Sequence, residues 1–453
     1  MGSYRITTDI FTLNYKEEKQ VLYAPLLGFA CEINNDMVHL LSDLEGTEDH
    51  ELSQHEKAIL EYLIQRGVVN GKTKSAPVHD VDKKVRPSKL TLFPTNQCNM
   101  RCRYCYASAG TSPPKTMDWE IATSAIDYYI TVLKKEKRTV FPLELHGGGE
   151  PLYAWALVKG LIEYAEEKCN TEGFKTEVYA GTNGVLNRKQ LDWLIGHFKA
   201  LNISFEGLPH VQDYQRPMAN GSSSFKKVDE TLKFLDEHNF PYGIRCTVTT
   251  YNENILPETI DFITENYKTK LIYLEPVYLC DRYKILEENL RPDLFKFVEN
   301  FKKLEPICAE RHVRLGYSGA ALERLSRTFC YVGTDDFAVT PDGCLTNCWE
   351  VTSRDHPLAE TFIFGRILPE GRIEVDKKKL AFLRSLSVDH LEYCQDCFAK
   401  WHCAGDCVAK LKTSDYRGPR GSERCETNRF LIAHQIFQLL ERKDYYEKEL
   451  VNT

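Results

Sequence analysis

Cysteines are the residues of this chain whose number and spacing most clearly point to chemistry. There are 16 of them, three of which lie close together and eight of which lie between residues 330 and 425. Clustered cysteines in a reducing compartment more often bind metal than form disulfides. The remaining five are scattered, which is typical of small buried apolar residues: Cys31, Cys169, Cys246, Cys280 and Cys308.

Composition and charge exclude several classes of protein. The 453 residues are 42% apolar and 27% charged, as expected of a folded globular chain. The net charge of −7 argues against a general electrostatic grip on nucleic acid or anionic lipid. No long apolar run predicts a membrane span, and the N-terminus lacks the pattern of a signal peptide. We therefore predict a cytoplasmic protein that binds neither nucleic acid nor membrane.

The first cysteine group follows a predicted strand that ends at Phe93. It reads Cys98-x3-Cys102-x2-Cys105. A structural zinc site needs four ligands, so zinc would require a distant fourth one. An iron–sulfur cluster of the [4Fe–4S] type, held by three thiolates, instead leaves one iron open to a substrate or cofactor. The residues alone leave both centres open.

A second predicted strand ends in a glycine-rich turn, His146-Gly147-Gly148-Gly149-Glu150-Pro151. Consecutive glycines let the backbone come close to a ligand. A carboxylate beside them can accept hydrogen bonds from a ligand ammonium group. The turn is a weak signal alone, but it follows the strand next to the cysteine loop, which strengthens it.

Six alternating strand and helix patterns position these loops. The strands are predicted at 89–93, 142–146, 177–180, 201–205, 242–249 and 271–275, and the helices near 118–134, 155–168, 188–198, 224–238, 255–266 and 292–304. Such alternation predicts a parallel sheet with right-handed crossovers. A doubly wound sheet and a partial barrel both fit, and both place functional residues at the carboxyl ends of the strands.

The flanking segments have different patterns. Residues 1–75 predict a small module with strands at 11–15, 20–23 and 29–33, and a helix at 53–66 that starts with a Ser53–Glu56 capping box. Residues 76–88 are polar and contain two prolines, which predicts a linker. The Cys-rich segment spans 325–425, and residues 426–453 contain a final helix at about 427–449.

The cysteine loop, with aromatic Tyr104 before its last cysteine, and the Gly-Gly-Glu-Pro turn together resemble the radical S-adenosylmethionine (radical SAM) enzymes. The resemblance implies an α/β fold with a partial (β/α)6 barrel at 89–320. It also implies a cluster on the three cysteines that binds SAM through its open iron and cleaves it to a 5′-deoxyadenosyl radical, with an electron donor of the flavodoxin or ferredoxin type. Glu206, where relatives commonly have Asp, is predicted to be catalytic together with the cluster. The implied SAM contacts are Tyr104, Gly148, Gly149, Glu150, Pro151, Asn183, Ser204, Arg216 and Val248; capping or solvation of a loop is the alternative for Ser204 and Arg216.

The second cysteine group resembles the SPASM extension of radical SAM enzymes, and two zinc knuckles are the alternative. By this resemblance, auxiliary cluster I is held by Cys330, Cys348 and Cys407, and auxiliary cluster II by Cys394, Cys397, Cys403 and Cys425. Counting the radical SAM cluster, three [4Fe–4S] clusters are implied. Relatives with complete ligation carry one more cysteine shortly before the first of the group, where this chain has Arg324. Auxiliary cluster I therefore has either an open iron or Cys344 as a ligand, and Cys308 is a more remote candidate.

Residues 1–75 resemble the winged-helix-like module that recognises the leader of a precursor peptide in peptide-maturing relatives. We therefore predict a radical SAM maturase of ribosomally made peptides that forms a thioether between a cysteine sulfur and a carbon atom. Carbon–carbon or carbon–oxygen crosslinking, formylglycine-type dehydrogenation and a small-molecule dehydrogenase are the enzymatic alternatives. A multi-cluster electron carrier is the alternative that is not an enzyme.

Overall fold

The computed structural model describes residues 4–7, 9–16, 19–44, 52–72, 85–277, 289–413 and 421–441. Three features predicted from the sequence lie outside these ranges. They are Cys280, residues 76–84 of the predicted linker, and the part of the final helix beyond Glu441.

The N-terminal residues form an antiparallel sheet and two helices. Strands β1 (Phe11–Lys16), β2 (Lys19–Ala24) and β3 (Phe29–Ile33) pair in that order. Helices α1 (Asn35–Ser42) and α2 (Gln54–Gln65) follow, and α2 confirms the predicted helix and its capping box. The sheet and helices share a small apolar core of their own, because one face of β2 and β3 and one side of each helix are buried against each other.

Six parallel strands form the central sheet, and each confirms a predicted strand: β4 (Leu90–Leu92), β5 (Val140–Leu145), β6 (Lys175–Thr182), β7 (Phe198–Ser204), β8 (Tyr242–Val248) and β9 (Leu271–Pro276). The helices of this region are α3 (Trp119–Glu136), α4 (Trp155–Glu172), α5 (Arg188–His197), α6 (Pro209–Gln215), α7 (Phe225–Glu237), α8 (Leu256–Asn266) and α9 (Leu294–Glu310). All six predicted helices are confirmed, and α6 is an addition.

The two sides of the central sheet differ in polarity. On β5, Phe141, Leu143 and Leu145 are fully buried in the core that the sheet shares with its helices. Glu144 points to the opposite side, since side chains alternate along a strand, and it pairs with Lys89 at the start of β4. The side of the sheet that faces away from the helices therefore carries charged groups.

The sheet continues beyond the predicted strands at both edges. Strand β10 (Arg314–Gly316) adds in parallel to β9, and β11 (Ala338–Val339) adds in parallel to β4. Strands β12 (Cys344–Thr346), β13 (Ile363–Leu368) and β14 (Arg372–Val375) then pair antiparallel, which gives one open sheet of eleven strands. Part of the Cys-rich segment therefore extends the central sheet.

Five helices complete the C-terminal part: α10 (Ala359–Phe362), α11 (Lys377–Arg384), α12 (Lys400–Cys403), α13 (Val408–Thr413) and α14 (Glu423–Glu441). Helix α14 confirms the predicted final helix as far as the described residues reach. It packs against α9 on one side, and Phe437 contacts Tyr15 of β1 on another. None of the helices described is long and apolar enough to cross a membrane.

The N-terminal sheet is docked on the Cys-rich segment. Tyr23 of β2 forms a hydrogen bond with His402 of α12, and both side chains are buried. Asp9 accepts a hydrogen bond from the Trp401 indole at 3.1 Å and forms an ion pair with Lys400 at 2.7 Å. These contacts therefore join the N-terminal sheet to the three residues that directly precede Cys403.

Candidate active site

The loop after β4 brings the first three cysteines together. The pKa of the Cys98 thiol is raised to about 12, mainly by burial and then by the nearby Cys102, Glu150 and Cys105. Without bound iron, negative charges on these groups therefore repel one another. Bound iron would offset that repulsion, so the site has the electrostatics expected of a cluster pocket.

Each of the three sulfur atoms has a nitrogen donor nearby. Asn183 Nδ2 lies 3.7 Å from the Cys98 sulfur, and Arg216 Nη1 lies 3.6 Å from the Cys102 sulfur. The Ala109 amide lies 3.5 Å from the Cys105 sulfur. Hydrogen bonds to cluster sulfur atoms stabilise negative charge and help to set the reduction potential. Two predicted SAM contacts, Asn183 and Arg216, are therefore brought beside the cysteine loop.

Glu150 lies at the carboxyl end of β5 with its carboxylate buried. It accepts hydrogen bonds from the Thr182 hydroxyl at 2.7 Å and from the backbone amides of Asn183 and Leu152 at 2.6 and 3.1 Å. Burial raises its pKa, while these donors oppose the shift. Since a carboxylate offers about four acceptor positions, one remains for a ligand ammonium group.

The glycines of this turn permit close contact with the cysteine loop. A Cβ atom on Gly149 would lie 2.1 Å from the Gln97 carbonyl oxygen, and one on Gly148 would lie 2.7 Å from Thr352 Oγ1. The Glu150 amide donates to that same Gln97 oxygen at 2.8 Å. Pro151 then begins a short 3-10 turn. Only glycine therefore lets the turn and the loop approach this closely.

Glu206 lies just beyond β7 and is fully buried. Its Oε1 atom accepts hydrogen bonds from the Tyr104 hydroxyl and from Arg216 Nε, the latter at 3.0 Å. Its Oε2 atom accepts from the Thr247 amide at 2.7 Å. Burial raises the pKa of Glu206, and Arg216 opposes that shift. The carboxylate thus holds Tyr104 and Arg216 in place, and its predicted catalytic role stays a prediction.

The remaining predicted SAM contacts lie at strand ends. Ser204 is the last residue of β7, and Val248 is the last residue of β8. These strands are neighbours in the sheet, and Asn183 directly follows β6 beside them. The three residues therefore share the edge where the cysteine loop and the glycine turn lie, as expected for a parallel sheet.

The cysteines predicted for auxiliary cluster II line one small cavity: Cys394, Cys397, Cys403 and Cys425. The pKa of Cys394 is raised to about 12, mainly by burial and then by Cys397 and Cys425. Asn428 Nδ2 donates to the Cys403 sulfur at 3.1 Å. The structure therefore brings together all four thiols that were predicted to form one site.

Cys330, Cys348 and Cys407 form a second group, in which Cys348 is buried and the other two are partly buried. The pKa of Cys330 is raised to about 12, mainly by burial and then by the nearby Cys407. The pKa of Cys348 is raised by burial and then by Glu350, Cys407 and Cys330. The structure thus brings together the three cysteines predicted for auxiliary cluster I.

Cys344 and Cys308 lie in different surroundings. Arg354 Nε donates to the Cys344 sulfur at 2.9 Å, and the pKa of this thiol is raised mainly by burial. Cys308 lies in α9, where burial raises its pKa to about 11 and the nearest charges include Arg311. Ligation of auxiliary cluster I by either cysteine stays a prediction.

Sequence analysis missed the aromatic residues between the first site and auxiliary cluster I. The Tyr331 and Trp349 rings stack at 4.2 Å, and Trp349 also contacts Phe93 at 6.1 Å. Burial raises the pKa of Tyr106, and Cys105, Glu350 and Cys348 are among the charges acting on it. The available signal was adjacency, since Tyr106, Tyr331 and Trp349 each directly follow a clustered cysteine.

The donor set of each cysteine group suits an iron–sulfur cluster, because thiolates are the usual ligands of its irons. All cysteines described are free thiols. Within the ranges described, no three His, Cys, Asp or Glu side chains converge closely enough to hold one metal ion. A [4Fe–4S] cluster takes one thiolate on each iron, so its ligands stand further apart than the four around zinc.

Comparison with known proteins shows which family the central part of the chain resembles. Residues 92–263 match the family model described as the radical SAM superfamily. This segment contains the cysteine loop, the glycine turn and all the predicted SAM contacts. The segment that carries both loops is therefore similar to the radical SAM superfamily.

Among curated relatives, an uncharacterised protein of Methanocaldococcus jannaschii is 31% identical over 38% of this chain and 57% of its own length. Sporulation killing factor maturation protein SkfB of Bacillus subtilis is 27% identical over 39% of each chain. A serine-type anaerobic sulfatase-maturating enzyme of Klebsiella aerogenes is 26% identical over 39% of this chain and 41% of its own length. The chain therefore spans less than two thirds of these relatives.

Two solved structures resemble this chain over more than the segment that the family model matches. The structure of anSMEcpe with bound AdoMet superposes with a TM-score of 0.62 at 17% identity, over 78% of this chain and 99% of that one. Streptococcus suis SuiB bound to precursor peptide SuiA superposes with a TM-score of 0.52 at 14% identity, over 93% and 100%. The fold across most of the chain is therefore shared with these two proteins.

Proposed function

We propose that this protein is a radical SAM maturase that forms a thioether within a ribosomally made precursor peptide. The observation that carries the proposal is the group of Cys330, Cys348 and Cys407, which has three clustered thiols and an arginine, Arg324, where a fourth cysteine is expected. A cluster held by three cysteines leaves one iron open for a substrate thiolate. SkfB is a maturation protein and SuiB binds a precursor peptide, which supports a peptide substrate.

The residues at the carboxyl end of the barrel have separate tasks in this proposal. Cys98, Cys102 and Cys105 would hold the radical SAM cluster. Glu150 would accept a hydrogen bond from the ammonium group of SAM through its remaining acceptor position. Arg216 lies beside Cys102, where a guanidinium can bind the SAM carboxylate, and Glu206 holds it there.

The bound groups would supply the redox chemistry. With SAM bound, the cluster held by the first three cysteines would supply a 5′-deoxyadenosyl radical for hydrogen abstraction, and an auxiliary cluster would accept the remaining electron. Thioether formation breaks one C–H and one S–H bond and makes one S–C bond. One hydrogen leaves as an atom and the other as a proton plus an electron, so the peptide loses two hydrogens.

The N-terminal module supplies a surface for a leader peptide in this proposal. Its sheet has β1 and β3 as edge strands, and a peptide can add to an exposed edge through backbone hydrogen bonds. The corresponding division of the chain is a leader-binding module at 1–75, a linker at 76–88, the barrel at 89–320, the SPASM domain at 325–425 and a C-terminal segment at 426–453. A flavodoxin or ferredoxin would donate electrons.

Mass spectrometry of the peptide product tests the thioether. Each crosslink should remove 2 Da and one cysteine that reacts with iodoacetamide. A product that is 2 Da lighter but retains every alkylatable cysteine would instead indicate a carbon–carbon or carbon–oxygen link, or conversion of serine to formylglycine. The relation to the serine-type sulfatase-maturating enzymes makes that last outcome worth measuring.

Two variants test the open iron directly. Cys344→Ser should leave thioether formation unchanged, because Cys344 contacts Arg354 and is not among the three thiols. R324C would place a thiol where relatives have the fourth ligand, so it should reduce thioether formation but preserve SAM cleavage. If C344S instead abolishes the thioether and R324C does not, Cys344 is the fourth ligand and the open-iron proposal is wrong.

A further inference from the structure

Arg324 connects the two auxiliary cysteine groups through their backbones. Its Nε and Nη2 atoms donate to the His402 carbonyl oxygen at 3.0 and 2.6 Å, and its Nη1 atom donates to the Phe329 carbonyl oxygen at 3.3 Å. His402 directly precedes Cys403, and Phe329 directly precedes Cys330. The Arg324 guanidinium therefore binds, for each auxiliary cluster, the carbonyl group of the residue that directly precedes one predicted cysteine ligand.

The charge of Arg324 has no direct counter-ion in the part of the chain described. Its hydrogen-bond acceptors are backbone carbonyl oxygens, since the further contact at 3.4 Å is to the Ser318 carbonyl. Carbonyl dipoles stabilise a cation but leave its net charge in place. Within the described residues, Arg324 therefore carries a positive charge that no carboxylate contacts directly.

The neighbouring Arg424 shows the contrast. Arg424 Nε forms a buried ion pair with the Asp406 carboxylate at 2.5 Å, and its Nη2 atom donates to the Ser318 hydroxyl at 3.0 Å. This pair has no net charge. Of the two arginines, Arg324 is thus the one that adds positive charge to the region between the cysteine groups.

The charge of Arg324 acts on cysteines of both auxiliary groups. Burial lowers the pKa of Arg324, and the thiols of Cys403 and Cys330 are the first two charges that oppose the shift. In turn, Arg324 offsets part of the increase in the pKa of Cys330. Cys403 is a predicted ligand of auxiliary cluster II, and Cys330 is a predicted ligand of auxiliary cluster I.

We propose that Arg324 is a positioning residue shared by the two auxiliary clusters, which fixes both cysteine loops and raises the reduction potential of both clusters. This inference rests on the proposed assignment of two auxiliary clusters. A cluster gains negative charge when it is reduced, and a nearby cation stabilises that state. Replacement of an expected cysteine by Arg324 would therefore remove a ligand and at the same time make the clusters better electron acceptors.

Redox titration of the reconstituted full-length protein, monitored by electron paramagnetic resonance, tests the inference. R324Q removes the charge and R324K keeps it. R354Q is the matched control, because Arg354 contacts Cys344 and neither proposed cluster. In R324Q the midpoint potentials of both auxiliary clusters should become more negative, whereas R324K and R354Q should stay close to the unmodified protein.

Iron and sulfide content separate this inference from the function proposal. Loss of both auxiliary clusters in R324Q would support the shared positioning role, while loss of only one would contradict it. If all clusters assemble and neither potential moves, or if R354Q moves them equally, Arg324 has no such role. If the unmodified protein assembles no auxiliary clusters, the cluster assignment itself is wrong.

Discussion

Glu150 is the single side chain on which SAM binding should depend most. Its carboxylate is buried among three protein donors and has one acceptor position left. Glu150→Gln keeps the shape but removes the charge and an acceptor oxygen. Hydrogen bonds to charged groups contribute about 1.5–3 kcal/mol, so SAM should bind about 10- to 100-fold more weakly.

Equilibrium binding of SAM to the reconstituted protein measures this effect. Glu177→Gln is a suitable control, because Glu177 pairs with Lys175 on β6 and stands away from the cysteine loop. Equal SAM affinity in the Glu150→Gln variant and the unmodified protein would show that Glu150 has no part in ammonium recognition.

Glu206 should contribute mainly to the stability of the folded protein. Its ion pair with Arg216 is buried on both sides. Breaking a buried pair by removing one partner costs about 3–5 kcal/mol, because the other charge is left uncompensated. Glu206→Gln should therefore lower the thermal midpoint clearly, while Asp192→Asn, in an exposed helical pair with Arg188, should change stability by no more than about 0.5 kcal/mol.

Thermal unfolding with and without SAM checks this prediction and separates two roles. A positioning role predicts a less stable protein with weaker SAM binding. A normal thermal midpoint and normal SAM affinity, with turnover lost, would show instead that Glu206 is a catalytic group in contact with the reacting atoms.

Cysteine spacing marked where metal could bind, but zinc and iron–sulfur both fitted it. The resemblance to radical SAM and SPASM enzymes then implied ten cysteine ligands in three groups and Glu150 as a SAM contact. The spacing could not show that Glu206 is enclosed by Tyr104, Arg216 and Thr247, because those contacts join residues that are far apart in the sequence. Nor could it place Tyr106 beside Cys348, which is distant in sequence.

At the scale of elements, the docking of the N-terminal sheet should depend on Tyr23. Its hydroxyl contacts His402, whose other ring nitrogen lies 2.8 Å from the Arg324 carbonyl oxygen. Tyr23→Phe leaves a buried His402 nitrogen without its partner, which costs about 1–3 kcal/mol. Amide hydrogen exchange should therefore become faster in β2 and α12.

Tyr62→Phe provides the control for this prediction, because Tyr62 is exposed on α2 and its ring remains. If exchange in β2 is unchanged by Tyr23→Phe, docking rests on the contacts of Asp9 and on the apolar contacts alone. A normal rate of peptide modification after loss of residues 1–75 would contradict leader binding by this module.

The predicted elements were those with a strong local pattern. The six strand–helix pairs have clear periodicity, and α2 has a capping box. Strands β10 to β12 have only two or three residues each, too few to show a period. Strand β10 pairs with β9, β11 with β4, and β12 with β11 and β13. These pairings depend on tertiary contacts, so the extension of the sheet could not be read from the sequence.

At the scale of the whole molecule, the number of clusters is the first quantity to measure. Three [4Fe–4S] clusters correspond to about twelve irons per chain in the anaerobically reconstituted protein. Removing the four cysteines of the Cys394 group should lower this by about four irons and leave the first site able to cleave SAM. Stoichiometric zinc without iron would contradict every cluster assignment.

The most direct test of the central claim is the production of 5′-deoxyadenosine from SAM under reducing, anaerobic conditions. The reconstituted protein should form it, and replacement of Cys98, Cys102 and Cys105 by Ala should abolish it. The C344S variant should retain it, because Cys344 lies outside all three cysteine groups. Formation of 5′-deoxyadenosine by the triple variant at the rate of the unmodified protein, or none from the iron-loaded unmodified protein, would contradict the account.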